Sequence, residues 1–146
     1  MRVKMCGMRT VAAARAAEEA GADYIGFIFA KNSRRYVAPE MAQEIACALH
    51  RVRTVGVFVD APMSDVNAIA DLVGLDYVQL HGHETAEMAK ESQYPVIKAY
   101  RYGNDFDADT ANAYPAEMIL VDSYVQGAAG GTGTAFHWQE AAREIA

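Results

Sequence analysis

A thiol, a carboxyl and a pair of guanidinium groups fall in this chain where a parallel α/β fold would build a site. Cys6 ends the run Val3-Lys4-Met5-Cys6, with Gly7 opening the loop behind it. Strand ends are where such folds place their reacting groups. A cysteine in an apolar strand is by itself only a small hydrophobe, so the weight rests on what other strands bring to it. Asp122 ends Met118-Ile119-Leu120-Val121-Asp122 with the same inward parity as Cys6. A thiol and a carboxyl facing one pocket could serve as base and acid. Lys4, two residues before Cys6 on the same face, would favour the thiolate. Asp122 could instead be a cap or a partner of Lys98, and parity alone does not choose.

Arg34 and Arg35 lie in Asn32-Ser33-Arg34-Arg35-Tyr36. They are either a solvated basic loop or a clamp whose planar fork suits a carboxylate. His81, in Gln79-Leu80-His81-Gly82, is either a ligand group or a hydrogen-bonded structural histidine, and His83 is expected at the surface. Gly130-Gly131-Thr132-Gly133 could bring backbone N–H groups to an oxyanion or phosphate, or could be an ordinary surface loop.

Positioning these groups requires regular elements, and the pattern repeats roughly every 25 residues, the length of one βα unit. Strands are predicted at residues 2–6, 24–30, 53–60, 77–81, 95–101 and 118–122. Thr10 should cap the first helix and Gly21 terminate it. Pro39 should open the second. Ser64 should cap the third, which stops near Gly74. Short helices follow at 85–92 and about 108–113, and a last one from about Trp138, after a glycine-rich loop at 127–133.

Strand parity selects the architecture. Met5, Val55, Val57, Val59, Val78, Leu80, Ile97, Ile119 and Val121 are assigned to the helix-facing side. The other parity gives Lys4, Cys6, Gly26, Gly56, Phe58, Asp60, Gln79, His81, Lys98, Tyr100, Leu120 and Asp122. An open sheet covered equally on both faces would be aliphatic on both parities. A small or polar second parity fits a barrel interior that becomes a site towards the strand C-termini. The expected fold is therefore an α/β, TIM-type (βα) barrel. Residues 1–146 form one incomplete domain, with about six of the eight units a closed barrel needs. Its first and sixth strands would then have open edges, where association of copies is expected.

Composition narrows the function. Of 146 residues, 52% are hydrophobic, enough for a sizeable core, and the net charge of −6 argues against nucleic-acid or membrane-surface binding. No stretch approaches a membrane span, and the start lacks the apolar run of a secretory leader. Cys6 and Cys47 have no metal-ligand spacing and read as reduced thiols of a cytoplasmic protein.

Taken together, the segments resemble phosphoribosylanthranilate isomerase, the (βα)8-barrel enzyme of tryptophan biosynthesis. The similarity is carried by Lys4-Met5-Cys6-Gly7, Glu19-Ala20-Gly21-Ala22-Asp23, residues 33–37, Gly56-Val57-Phe58-Val59, Gln79-Leu80-His81-Gly82, Leu120-Val121-Asp122-Ser123, and Gly130-Gly131-Thr132-Gly133 with Phe136 and Trp138. They occur in the family's order and spacing. The resemblance implies that Cys6 is the general base and Asp122 the general acid, and that Arg35 contacts the anthranilate end of the substrate. Lys4, His81, Gly131 and Gly133 are expected as further substrate-binding residues. The implied reaction is an Amadori rearrangement of a small phosphorylated substrate, N-(5-phosphoribosyl)anthranilate, with no metal or organic cofactor. Arg34 replaces a usual proline and His137 a usual aspartate, and the last quarter of the family barrel, with its phosphate-binding loops, has no counterpart in this chain. Two other readings stand beside this one. One is a non-catalytic barrel fragment acting through its open edges; the other is a different sugar-phosphate barrel, against which the Cys6 and Asp122 motifs argue.

Overall fold

The computed structural model describes residues 1–103, 106–123, 135 and 138–145. Strands and helices alternate: β1 (Lys4–Cys6), α1 (Val11–Glu19), β2 (Tyr24–Ile28), α2 (Pro39–Cys47), β3 (Arg53–Phe58), α3 (Met63–Val73), β4 (Tyr77–Leu80), α4 (Ala86–Lys90), β5 (Val96–Tyr102), α5 (Ala108–Ala113), β6 (Met118–Ser123) and α6 (Trp138–Ile145). The six strands form one parallel sheet in sequence order, so each of α1 to α5 is a crossover between neighbouring strands. Within this sheet β1 and β6 each have one strand neighbour.

Local chemistry explains most of the boundaries. Thr10 accepts from the Ala13 N–H and starts α1; Thr85 accepts from the Met88 N–H and starts α4. Pro39 stands in the first turn of α2, where its missing N–H costs nothing. Gly74 ends α3 in the left-handed conformation, with φ of 75°. One expected cap is corrected. Ser64 lies inside α3, which begins at Met63 behind Pro62 with no side-chain cap, because the fixed φ of proline already starts the turn.

Register settles which side chains share a face. Cys6 pairs with Gly26, Gly26 with Val55, Val57 with Gln79, Gln79 with Ile97, Ile97 with Met118, and Arg101 with Asp122. One face therefore carries Lys4, Cys6, Gly26, Val55, Val57, Gln79, Ile97, Ala99, Arg101, Leu120 and Asp122. Its lower part is an apolar layer of Tyr24, Val55, Tyr77 and Ile97, against which Met118 and Leu120 pack. The opposite face meets the helices through Ile25, Phe27, Phe29, Phe58, Val78, Leu80 and Val96, joined by Ala14, Ala42, Ile45, Val66 and Ala70.

The expected parity thus holds for β1, β4 and β6 and is reversed for β3 and β5. Val55 and Val57 point to the inner face and Gly56 and Phe58 to the helices. Gly56 suits the outer position because an added Cβ would come 2.9 Å from the Phe58 ring and 3.0 Å from Phe29. Asp60 lies beyond β3 in the loop, in the left-handed region with φ of 52°. Lys98 and Tyr100 likewise face outwards, where Lys98 Nζ meets Glu84 Oε2 at 2.8 Å and the Gly82 carbonyl at 2.8 Å. No described helix is long and apolar enough to cross a membrane.

Candidate active site

Strand ends β1, β4 and β6 and the loop after β2 converge on one cavity of about 680 Å³. Its lining includes Lys4, Cys6, Arg35, Gln79, His81 and Asp122. Every candidate site residue among the described residues is therefore in one place. Gly131 and Gly133, with the Gly130–Gly133 loop, lie outside the described residues, as do Phe136 and His137.

Cys6 is half-buried and unpaired. Room for its side chain comes from Gly26 beside it: a Cβ there would stand 2.6 Å from Cys6 Sγ. The loop after β2 brings Arg35 over β1, where Arg35 Nη1 donates to the Cys6 carbonyl at 3.2 Å. Gly7, with φ of 88°, leaves the space that the Arg35 stem crosses; a Cβ there would lie 2.7 Å from Arg35 Cδ. Both arginines of this loop are exposed and line the cavity. The Arg34 carbonyl accepts from Arg9 Nη1 at 3.1 Å and the Arg35 N–H donates to Ser33 Oγ at 3.1 Å, so the backbone is held while the Arg35 guanidinium stays exposed at the rim.

Asp122 does not pair with Lys98, which lies on the other face of the sheet. Its Oδ1 accepts from the Ser123 N–H at 2.8 Å, and its Oδ2 lies 3.5 Å from His81 Nε2. His81 Nδ1 in turn meets Gln79 Nε2 at 3.0 Å, and Gln79 Oε1 accepts from Lys4 Nζ at 2.8 Å. A polar row thus crosses the inner face from β1 through β4 to β6. Burial pushes the His81 imidazole below its ordinary pKa; the Asp122 carboxylate works against this, and Lys4 and Arg101 work with it. His83 is exposed as expected and clasps Asp60, donating its N–H to Asp60 Oδ1 and placing Nδ1 3.1 Å from Oδ2.

One member of the site, Gln79, escapes the sequence reading. Gln79 was visible as the residue two before His81, but side-chain amides carry no chemistry of their own and drew no weight. Arg101, on the inner parity of β5 in register with Asp122, is exposed and does not line this cavity. A second cavity, of about 670 Å³, opens on the helix side of β5 around Lys98, Tyr100 and Tyr114. Lys98 Nζ sits 5.8 Å and 5.6 Å from those two rings, and burial together with Glu84 pushes the Tyr114 hydroxyl up to about 12. Neither Cys6 nor Asp122 borders it.

The arrangement therefore offers a thiol on β1 beside the lysine that opens the polar row, a carboxyl at the row's other end, and a guanidinium at the rim. The sequence and the fold both have known relatives. Residues 3–144 match the family model described as N-(5'phosphoribosyl)anthranilate (PRA) isomerase. The chain is 46% identical over 139 residues to the N-(5'-phosphoribosyl)anthranilate isomerase of Desulforamulus reducens, covering 94% of this chain and 66% of that protein. The crystal structure of phosphoribosyl anthranilate isomerase from Thermus thermophilus superposes with a TM-score of 0.89 at 38% identity, over 99% of this chain and 71% of that one. A further phosphoribosyl anthranilate isomerase, solved in complex with reduced 1-(o-carboxyphenylamino)-1-deoxyribulose 5-phosphate, matches with a TM-score of 0.79 at 38% identity, over 85% of this chain and 66% of that one. The six units are thus a TIM-type (βα) barrel segment spanning about two thirds of these relatives' length. From its motifs, its fold and its relatives alike, the chain belongs to the N-(5'-phosphoribosyl)anthranilate isomerase family.

Proposed function

We propose that these residues carry the catalytic groups of an Amadori rearrangement that converts N-(5'-phosphoribosyl)anthranilate into 1-(2-carboxyphenylamino)-1-deoxyribulose 5-phosphate. The observation that carries the reading is the single cavity shared by Cys6, Asp122, Lys4, His81 and Arg35, contributed by three strands and a loop. Asp122 gives a proton to the furanose oxygen as the bond from that oxygen to C1 breaks, and the anthranilate nitrogen forms the Schiff base. The Cys6 thiolate takes the proton from C2, leaving an enolamine. Return of that proton to C1, and loss of the C2 hydroxyl proton to the Asp122 carboxylate, give the ketone and restore both groups.

Arg35 holds the anthranilate carboxylate in this scheme, because its guanidinium crosses Gly7 to reach the Cys6 carbonyl beside the reacting groups. Arg35→Ala should raise KM by about 10-fold or more, the usual cost of losing a charge-assisted contact, while Arg34→Ala stays within about twofold. Steady-state kinetics of both variants decide it. Equal losses at the two positions point to a diffuse charge effect. Net charge and free thiols suit a cytoplasmic enzyme acting on a small phosphorylated substrate, with neither nucleic acid nor membrane as partner.

Closure of the barrel is the remaining requirement. Cys6 and Asp122 sit on β1 and β6, the two edge strands of the described sheet. The decisive test compares a polypeptide of residues 1–146 with one in which the C-terminal remainder of the Desulforamulus reducens relative is joined behind it (the completed barrel). The completed barrel should turn the substrate over. The 146-residue polypeptide should fall below about 1% of its kcat/KM, since the remote contacts that orient the reacting carbon are lost, and should associate through its edges. A folded, monomeric completed barrel without turnover refutes the assignment and favours a fragment that acts through its edges alone.

A further inference from the structure

The polar row on the inner face has a direction, and the first residue sets it. A lysine ammonium only donates hydrogen bonds, so the Gln79 group 2.8 Å from Lys4 Nζ must be the carbonyl oxygen Oε1. That fixes the amide: its NH₂ end, Nε2, points the other way, at His81 Nδ1, 3.0 Å distant. An NH₂ also only donates. His81 Nδ1 must then accept, and a neutral imidazole that accepts at Nδ1 carries its hydrogen on Nε2. Nε2 is the atom 3.5 Å from Asp122 Oδ2, and among the described residues it is fully buried without a hydrogen-bond partner. We propose that Gln79 is a positioning residue: pinned by Lys4, it holds His81 in the Nε2–H tautomer and so aims one N–H at the carboxyl of Asp122.

The inference rests on the isomerase reading only where it concerns turnover; the tautomer stands on the geometry alone. Gln79 itself is buried, so no bulk water competes for its amide. The charged groups around the imidazole come from three strands: Lys4 on β1, Arg101 on β5 and Asp122 on β6. Two cations and the burial of the ring keep it uncharged against one carboxylate. An uncharged ring turns one N–H towards the carboxyl and adds no net charge beside it. Oδ1 of Asp122 accepts from the Ser123 N–H, which leaves Oδ2 facing the ring. The acid can then present its proton in one direction, towards the cavity.

Replacing the amide by a carboxylate reverses the logic. In Gln79→Glu the side chain can only accept, so His81 must place a hydrogen on Nδ1, and a neighbouring negative charge favours the imidazolium. The measurement is the nitrogen chemical shift of His81 by NMR, across pH, in the 146-residue chain and in the completed barrel. The unchanged protein should show a protonated Nε2 and an accepting Nδ1 at neutral pH. Gln79→Glu should move the hydrogen to Nδ1 and raise the titration midpoint by about one pH unit or more. Gln79→Met, which neither donates nor accepts, should give a mixture of tautomers, and it keeps the test open if the glutamate variant does not fold. In the completed barrel Gln79→Met should lower kcat on the order of 10-fold to 100-fold with KM within about twofold, as a misaimed acid does.

An Nδ1–H tautomer or an imidazolium in the unchanged protein at pH 7 overturns the relay. An unaltered kcat in Gln79→Met, with the expected tautomer in the unchanged protein, overturns the positioning role while the isomerase reading survives. An inactive completed barrel with the expected tautomer does the reverse.

Discussion

Cys6→Ser in the completed barrel is expected to lower kcat by at least about 10², the low end for a lost acid–base group, with little change in folding. Serine keeps the size of the side chain and a polar hydrogen but is far harder to deprotonate than a thiol. The half-buried site has room for it, because Gly26 leaves the neighbouring position without a side chain. Asp122→Asn is the matching variant at the other end of the row. Asparagine can still accept from Ser123 but has no proton to give, so kcat should again fall by about 10². Both are read from initial rates alongside the urea midpoint. Near-normal turnover in the serine variant would remove Cys6 as the base. If Asp122→Asn raised KM alone, Asp122 would be a binding group.

A second large effect is expected far from any reacting atom. Lys98→Met should destabilise the fold by about 3–5 kcal/mol, the usual cost of stranding one partner of a buried ion pair. Glu84 has no exposed side-chain surface and Lys98 almost none. Glu84 Oε1 accepts from the Asp60 N–H at 2.9 Å, and Oε2 from the Gly82 N–H at 2.9 Å as well as from Lys98. One carboxylate thus ties the loop after β3 to the loop after β4 and to β5. Removing the ammonium leaves that charge in a dry place with only two amides. Denaturant unfolding of Lys98→Met, and of Lys98→Met with Glu84→Gln, measures it; the double variant should recover part of the loss. A change below about 1 kcal/mol, as at a surface pair, would show that water reaches the pair.

Lys98 also shows where reading the sequence stops. A lysine in a buried strand announces that a partner exists, but not on which side of the sheet. Beside Tyr100 it looked like the floor of a polar pocket, whereas its partner, Glu84, comes from the loop on the outer face. In β3 the same ambiguity had another source. Val55, Val57, Gly56 and Phe58 can all be buried on either face, and it is the packing of Leu75, Phe58 and Phe29 around Gly56 that makes one choice work. Cys6, His81 and Asp122 were legible because their strands alternate with plainly aliphatic residues, which leaves one face for the polar set. The alternation of strands and helices was readable for a simpler reason: Thr10, Thr85, Pro39 and Gly74 each mark an element end by a local preference that needs no tertiary contact. Ser64 failed because Pro62, two residues earlier, offered an earlier start.

The sequential strand order has a kinetic consequence. Each strand pairs with the next one in the chain, so every step of sheet growth closes a loop of only one helix, and such local steps are fast. The body of six strands can therefore zip together unit by unit from either end. The two reacting groups, however, belong to the first strand and the sixth, the pair that this growth brings together last. Secondary structure and core fluorescence should recover early in refolding, and enzyme activity should lag behind both, because activity alone reports the long-range closure that sets Cys6 opposite Asp122.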